Sequence, residues 1–166
     1  MMATSALQSH AQNGKAIAVS NTFRRTTCVS INIQAPNEVV WALLTNAADF
    51  PRWNSTIVSM HGEIKKGGKV KLKSTLDSKR TFKLKVTAFE PERKMIWSDG
   101  MAPFFKGKRS YLLSSVSDGS TNFTMEETMS GLMFPLAAKS IPDFKESFEQ
   151  YAADLKKEAE IISTIK

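Results

Sequence analysis

The stretch 141-IPDFKESFEQYAADLKKEAEII-162 is the longest segment of this chain with an unbroken helical period. Its apolar residues fall at Ile141, Phe144, Phe148, Tyr151, Leu155, Ala159 and Ile162, the three-and-four spacing that sets side chains on one helix face. Lys145, Glu146, Glu149, Gln150, Asp154, Lys156, Lys157 and Glu158 lie between them, so the opposite face is solvated. A stripe of this kind needs a surface to rest on. The rest of the sequence is read for that surface.

Working backward, the chain before this helix reads as strand. Thr121 to Met129 and Lys108 to Val116 are strands joined by the turn residues Ser117-Asp118-Gly119-Ser120. Lys94 to Trp97 is shorter, Thr81 to Phe89 and Val70 to Leu76 form a hairpin around Asp77-Ser78, and Ile57 to Met60 precedes them. Met101-Ala102-Pro103-Phe104-Phe105 is an apolar loop. Upstream, Val39, Val40, Leu43 and Leu44 predict a short helix opened by Pro36, and Asp49 to Asn54 a compact turn or second short helix. Thr27, Val29, Ile31 and Ile33 alternate with Cys28, Ser30 and Asn32 as a half-buried first strand.

The order is one strand, two short helices, about six further antiparallel strands and a long helix, which is an α+β layout. Its 166 residues suit one domain, placed at 23–166. Residues 1–22 are rich in Ser, Ala, Gln, Asn and Thr and are expected to be a disordered tail, too weakly apolar for a secretory signal. No apolar run has the roughly 18 residues of a membrane span. The single cysteine, Cys28, allows no internal disulfide and is expected to be a small strand residue; a reducing, cytoplasmic location is the expectation.

The net charge is +7, and much of it lies in Lys69, Lys71, Lys73, Lys83 and Lys85. These alternate with Val70, Leu72, Phe82, Leu84 and Val86, so they belong to the wet face of two strands. A nucleic-acid platform needs aromatic side chains interleaved with such lysines, and the outward positions carry none before Phe89; nucleic acid is therefore not an expected partner. Contact with an anionic membrane surface stays open. Metal and phosphate chemistry lack their motifs. His10 and His61 stand apart, Cys28 has no neighbouring ligand, and Gly67-Gly68 lacks the Walker spacing, so no metal or cofactor is expected.

Glu127 shares strand parity with Phe123, Met125 and Met129, which turns its carboxylate toward the helix. An inward carboxylate must be paired or serve as an acid or ligand anchor. Arg109 and Tyr111 share a parity on the neighbouring strand, so Glu127, Arg109 and Tyr111 form a candidate polar patch, with a structural ion pair to Arg109 as its alternative. Trp53, Met95, Trp97, Phe104, Phe105, Met125, Phe144 and Phe148 are core by default. As a set they are also the candidate lining of an apolar pocket of roughly 300 to 1,000 Å³, with Phe104-Phe105 at its mouth.

The run Ala35-Pro36-Asn37-Glu38-Val39-Val40-Trp41-Ala42-Leu43-Leu44, followed by Phe50-Pro51-Arg52-Trp53-Asn54, resembles the opening of the START-like or SRPBCC superfamily, which includes polyketide cyclase/dehydrase relatives. Gly119 to Gly131 is similar to that family's penultimate hairpin and last strand. The resemblance implies a helix-grip fold, a seven-stranded antiparallel sheet curled around the C-terminal helix with an apolar cavity between them. Phe144, Phe148 and Tyr151 would then border the cavity, and Leu155, Ala159 and Ile162 would seal core. Because the fold hosts many activities, the resemblance admits three functions. They are binding of a hydrophobic small molecule (a lipid, polyketide or isoprenoid), a cyclase or dehydratase reaction using Glu127 and Tyr111, and a chaperone-ATPase-activator role acting through Lys71, Lys73, Lys83 and Lys85.

Overall fold

The computed structural model describes residues 13–116 and 118–165. Eight strands form one antiparallel sheet: β1 (Ala16–Asn21), β2 (Arg24–Ile33), β3 (Ile57–Gly62), β4 (Lys69–Ser74), β5 (Asp77–Glu90), β6 (Lys94–Met101), β7 (Phe105–Ser115) and β8 (Thr121–Ser130). Their spatial order is β1-β2-β8-β7-β6-β5-β4-β3. Two short helices, α1 (Asn37–Thr45) and α2 (Phe50–Trp53), follow β2; a single turn of helix, α3 (Phe134–Ala137), and the long α4 (Lys145–Ile165) close the chain. This is the expected α+β helix-grip layout with one strand more than the seven anticipated.

The extra strand is β1, which the sequence reading places in the tail. It pairs with β2 from Ala16↔Val29 to Asn21↔Arg24. Its side chains are largely exposed, so it carries no alternating pattern to detect. What holds it is polar: the ladder to β2, and Glu149 on α4, which accepts the Ala16 amide at 3.0 Å and meets Lys15 Nζ at 3.3 Å. Residues 1–12, the remainder of the expected tail, lie outside the described residues.

Helix α4 starts at Lys145, four residues later than the apolar period suggests. Pro142 lies outside it, and Asp143 Oδ1 accepts the Lys145 amide at 3.0 Å to cap the entry. Phe148, Tyr151, Ala152, Leu155 and Ala159 are buried, the spacing of one face. The helix rests on β2, β1 and α1. Lys156 donates to the Asn32 carbonyl at 2.8 Å, Gln34 donates its amide to Glu160 at 2.8 Å, and Ser55 bonds Asp154, so the polar side of the helix is tied to the end of β2 and to the turn after α2. Burying Phe148, Tyr151 and Leu155 stabilises this packing by about 1.5–3 kcal/mol each.

On the concave side, inward residues of adjacent strands stand in rows. Val70 pairs with Leu84 and Leu72 with Phe82 across β4 and β5, while Lys69, Lys71, Lys83 and Lys85 face outward and are exposed. Phe89 is a correction. A register shift between Val86 and Ala88 reverses the parity of β5, and Phe89 packs on Trp41 at a ring separation of 5.2 Å instead of facing water.

Candidate functional site

One cross-strand row organises the interior. Trp97 on β6 stands opposite Arg109 on β7, Arg109 opposite Glu127 on β8, and Glu127 opposite Thr27 on β2. A period of two puts all four on the concave face, and their register fixes who meets whom. Arg109 Nε donates to Glu127 Oε2 in a charged pair whose side chains are 20% and 15% exposed. The Arg109 guanidinium also lies over the Phe148 ring, 5.2 Å from its centroid. Burial works against the Arg109 charge, but the Glu127 carboxylate and Tyr111 together more than offset it, and the group stays protonated with its pKa above the ordinary arginine value.

Beyond this pair the interior opens into a cavity of about 170 Å³ that reaches solvent. Leu72 and Ser74 from β4, Arg80, Phe82 and Leu84 from β5, and Trp97, Ser98 and Asp99 from β6 line one side. Phe105, Gly107 and Arg109 from β7 with Glu127 and Met129 from β8 line the floor, and Ser140, Ile141, Pro142 and Phe144 cover it. The cover is the segment before α4. It is held by Arg25, whose guanidinium donates to the carbonyls of Ala138 and Ile141 at 3.2 Å each.

Asp99 enters this wall because Gly107 faces it across the strand pair. A Cβ at Gly107 would stand 2.2 Å from the Asp99 carboxylate, so the missing side chain is what makes room for the charge. Arg80 lies over Phe82, 4.7 Å from the ring centroid, and brings a second cation to the rim. The indole N–H of Trp97 is buried and has no protein acceptor among the described residues. The cavity thus combines an apolar lining with an ion pair, two further carboxylates, Asp77 and Asp99, a rim cation and a buried indole donor.

Five of the residues singled out in the sequence line this space: Trp97, Phe105, Arg109, Glu127 and Phe144. The others lie elsewhere. Met95, Tyr111, Met125, Phe148 and Tyr151 are buried in the core proper. Tyr151 is its hub: its ring lies 6.0 Å from Trp53, 6.3 Å from Phe50, 6.2 Å from Tyr111 and 6.3 Å from Phe123. Trp53 belongs to that cluster. Burial raises the Tyr151 phenol well above its ordinary pKa, with Tyr111 adding to the shift, and burial likewise raises Tyr111 against the opposing pull of Arg109. Phe104 is half exposed in the β6–β7 turn, away from the cavity lining. Leu72, Leu84, Arg80, Asp99 and the 140–142 cover were missed. The β4–β5 alternation signals the inward leucines, but the strand curvature that brings them over Arg109 is a tertiary property.

The chain matches the family described as polyketide cyclase / dehydrase and lipid transport over residues 24–160. No curated protein sequence matches it. Among solved structures it is similar to a START superfamily protein from Mycobacterium smegmatis, with a TM-score of 0.63, 14% identity, and coverage of 82% of this chain and 98% of that one. A hypothetical protein from Helicobacter pylori gives 0.64 at 13% identity, covering 81% and 86%. The di-domain ARO/CYC StfQ from the steffimycin biosynthetic pathway gives 0.65 at 7% identity, covering 86% of this chain and 53% of that one. At these identities the structural neighbours establish the START-like fold alone. The match over most of the chain establishes more: this protein belongs to the polyketide cyclase/dehydrase and lipid-transport family.

Proposed function

We propose that this protein binds a small, largely apolar molecule carrying one polar or anionic group, held between the concave sheet and the 140–144 cover. The observation that carries this reading is the cavity itself, about 170 Å³ with Leu72, Leu84, Phe82 and Phe144 around a floor of Arg109 and Glu127. A cavity near 150 Å³ with an apolar lining takes up one benzene-sized ring. The enclosed portion of the ligand is therefore of that size. A longer lipid, polyketide or isoprenoid would leave the rest of its length in the mouth, beside Arg80 and Phe105. Family membership supports the hydrophobic class of ligand.

A second reading, a cyclase or dehydratase reaction, draws support from Glu127 standing on the cavity wall. In that reading Glu127 moves the proton alone. Tyr111 is fully buried and does not line the cavity, so in this reading Glu127 acts beside Arg109. Titration with anilinonaphthalene sulfonate, an aromatic anion, tests the binding reading. Saturable fluorescence that a Leu84→Trp variant weakens supports it; equal fluorescence in both proteins contradicts it.

A further inference from the structure

Six large apolar side chains are exposed at one end of the sheet. Phe23 (52% exposed) lies in the β1–β2 turn, Met101 (67%) and Phe104 (51%) at the β6–β7 turn, Leu132 (62%) and Met133 (46%) between β8 and α3, and Leu136 (76%) on α3 itself. They form one surface, because the three segments are bonded to each other. The Gly131 amide donates to the Phe23 carbonyl at 3.1 Å, Leu132 to Pro103 at 3.0 Å and Met133 to Phe104 at 2.8 Å. Gly131 makes this approach possible: a Cβ there would lie 2.2 Å from the Phe104 carbonyl oxygen. A built cluster of this kind is unlike the scattered single apolar residues of an ordinary surface.

Its charge is biased too. Residues 20–25, 100–108 and 130–142 contain no Asp or Glu, the flanking acids being Asp99, which lines the cavity, and Asp143, which is paired with Lys145, and Arg24, Lys106, Lys108 and Lys139 around the patch are all exposed. Apolar tips ringed by cations complement a membrane interface, where side chains enter the acyl boundary while Lys and Arg meet anionic headgroups. The same segment continues into Ser140, Ile141 and Pro142, the cover of the cavity, with Arg25 bonded to its backbone.

We propose that this end of the sheet docks on the surface of an anionic lipid bilayer, with Phe23, Met101, Phe104, Leu132, Met133 and Leu136 at the acyl boundary and the cationic rim on the headgroups. Docking there places the cavity mouth against the bilayer. It requires no cavity ligand, so it stands or falls separately from the binding reading.

Vesicle co-sedimentation of the full chain tests this, using phosphatidylcholine alone and phosphatidylcholine with about a quarter phosphatidylserine. The protein partitions onto the mixed vesicles. Leu132→Asp combined with Leu136→Asp lowers that partitioning by about tenfold or more, since a charge must now enter the acyl boundary. Neutralising Arg24→Gln and Lys106→Gln lowers it about fivefold per cation on mixed vesicles and leaves neutral vesicles unaffected. Ile161→Asp, an exposed apolar position on α4, changes nothing, and unchanged thermal midpoints show that all variants are folded. No partitioning at low salt, or equal partitioning of the wild type and the Leu132/Leu136 variant, overturns the proposal. So does a concentration-dependent dimer that the Leu132/Leu136 variant abolishes in the absence of vesicle binding.

Discussion

Arg109 and Glu127 face each other across β7 and β8 as directly opposed residues, and the guanidinium that meets the carboxylate also covers the Phe148 ring of α4. One arginine therefore joins two strands and the long helix at the floor of the cavity. Removing one member leaves the other charge with little solvent and no partner, which costs about 3 kcal/mol, whereas replacing both by apolar residues is close to neutral. In urea unfolding, Glu127→Leu and Arg109→Met should each lower stability by about that amount, and the double variant should recover most of the loss. Independent, additive losses would mean that the pair contributes nothing as a pair.

Filling the cavity should separate uptake from stability. Leu84→Trp projects a larger ring into the space that Leu72, Phe82 and Phe144 enclose. Affinity for an aromatic anion should fall by about tenfold, equivalent to about 1.4 kcal/mol. Leu155→Ala gives the opposite profile: it empties a fully buried position under α4 and costs about 2–5 kcal/mol of stability with little change in affinity. Calorimetric titration beside thermal unfolding measures both.

Alkaline pH should destabilise the fold through its tyrosines. Burial raises the folded pKa of Tyr151 and of Tyr111 above the unfolded value near about 10. A raised acid pKa contributes stability that is complete below the unfolded pKa and is lost as pH climbs through the folded one. Stability should therefore decline from about pH 10 upward, and Tyr151→Phe should shallow that decline. A parallel decline in wild type and variant would show that other groups control the alkaline limit.

Cys28 should be inert in the native protein. It is fully buried, and burial with the nearby Glu126 charge pushes its thiol up to about 12. A thiol reagent at pH 8 should leave the folded chain unlabelled and label one site after denaturation. Rapid native labelling would contradict the packing described for β2.

The sheet, the long helix and the pairing of Glu127 with Arg109 were legible because each rests on periodicity, which is local. Glu127, Met125 and Phe123 share a face by the geometry of any strand. Three things were not legible, each for a tertiary reason. Strand β1 is held by a ladder and by Glu149, neither of which leaves an apolar pattern in Ala16–Asn21. Phe89 falls at an outward position by simple alternation, and the register shift after Val86 reverses that parity without changing composition. The cavity lies over Arg109 and Trp97 and away from Tyr151, because α4 rests on β1, β2 and α1, reaches β7 through Phe148 and Tyr151, and leaves the β4–β6 side of the concave face to the short 140–144 segment. Residues at helical spacing on one stripe, Phe144 and Tyr151, thus divide between cavity and core.

The most direct measurement follows the three tryptophan indole N–H resonances during titration with the aromatic anion. Trp97 lines the cavity, whereas Trp41 packs on Phe89 away from it and Trp53 stands in the core cluster around Tyr151; among the described residues the indole N–H groups of Trp97 and Trp53 are both buried without a protein acceptor, so cavity contact is what separates them. The Trp97 signal should shift saturably, the Trp41 and Trp53 signals should stay in place, and Leu84→Trp should suppress the Trp97 shift. A ligand that binds while Trp97 is unmoved, or that moves all three equally, would contradict a binding site between the sheet and its cover.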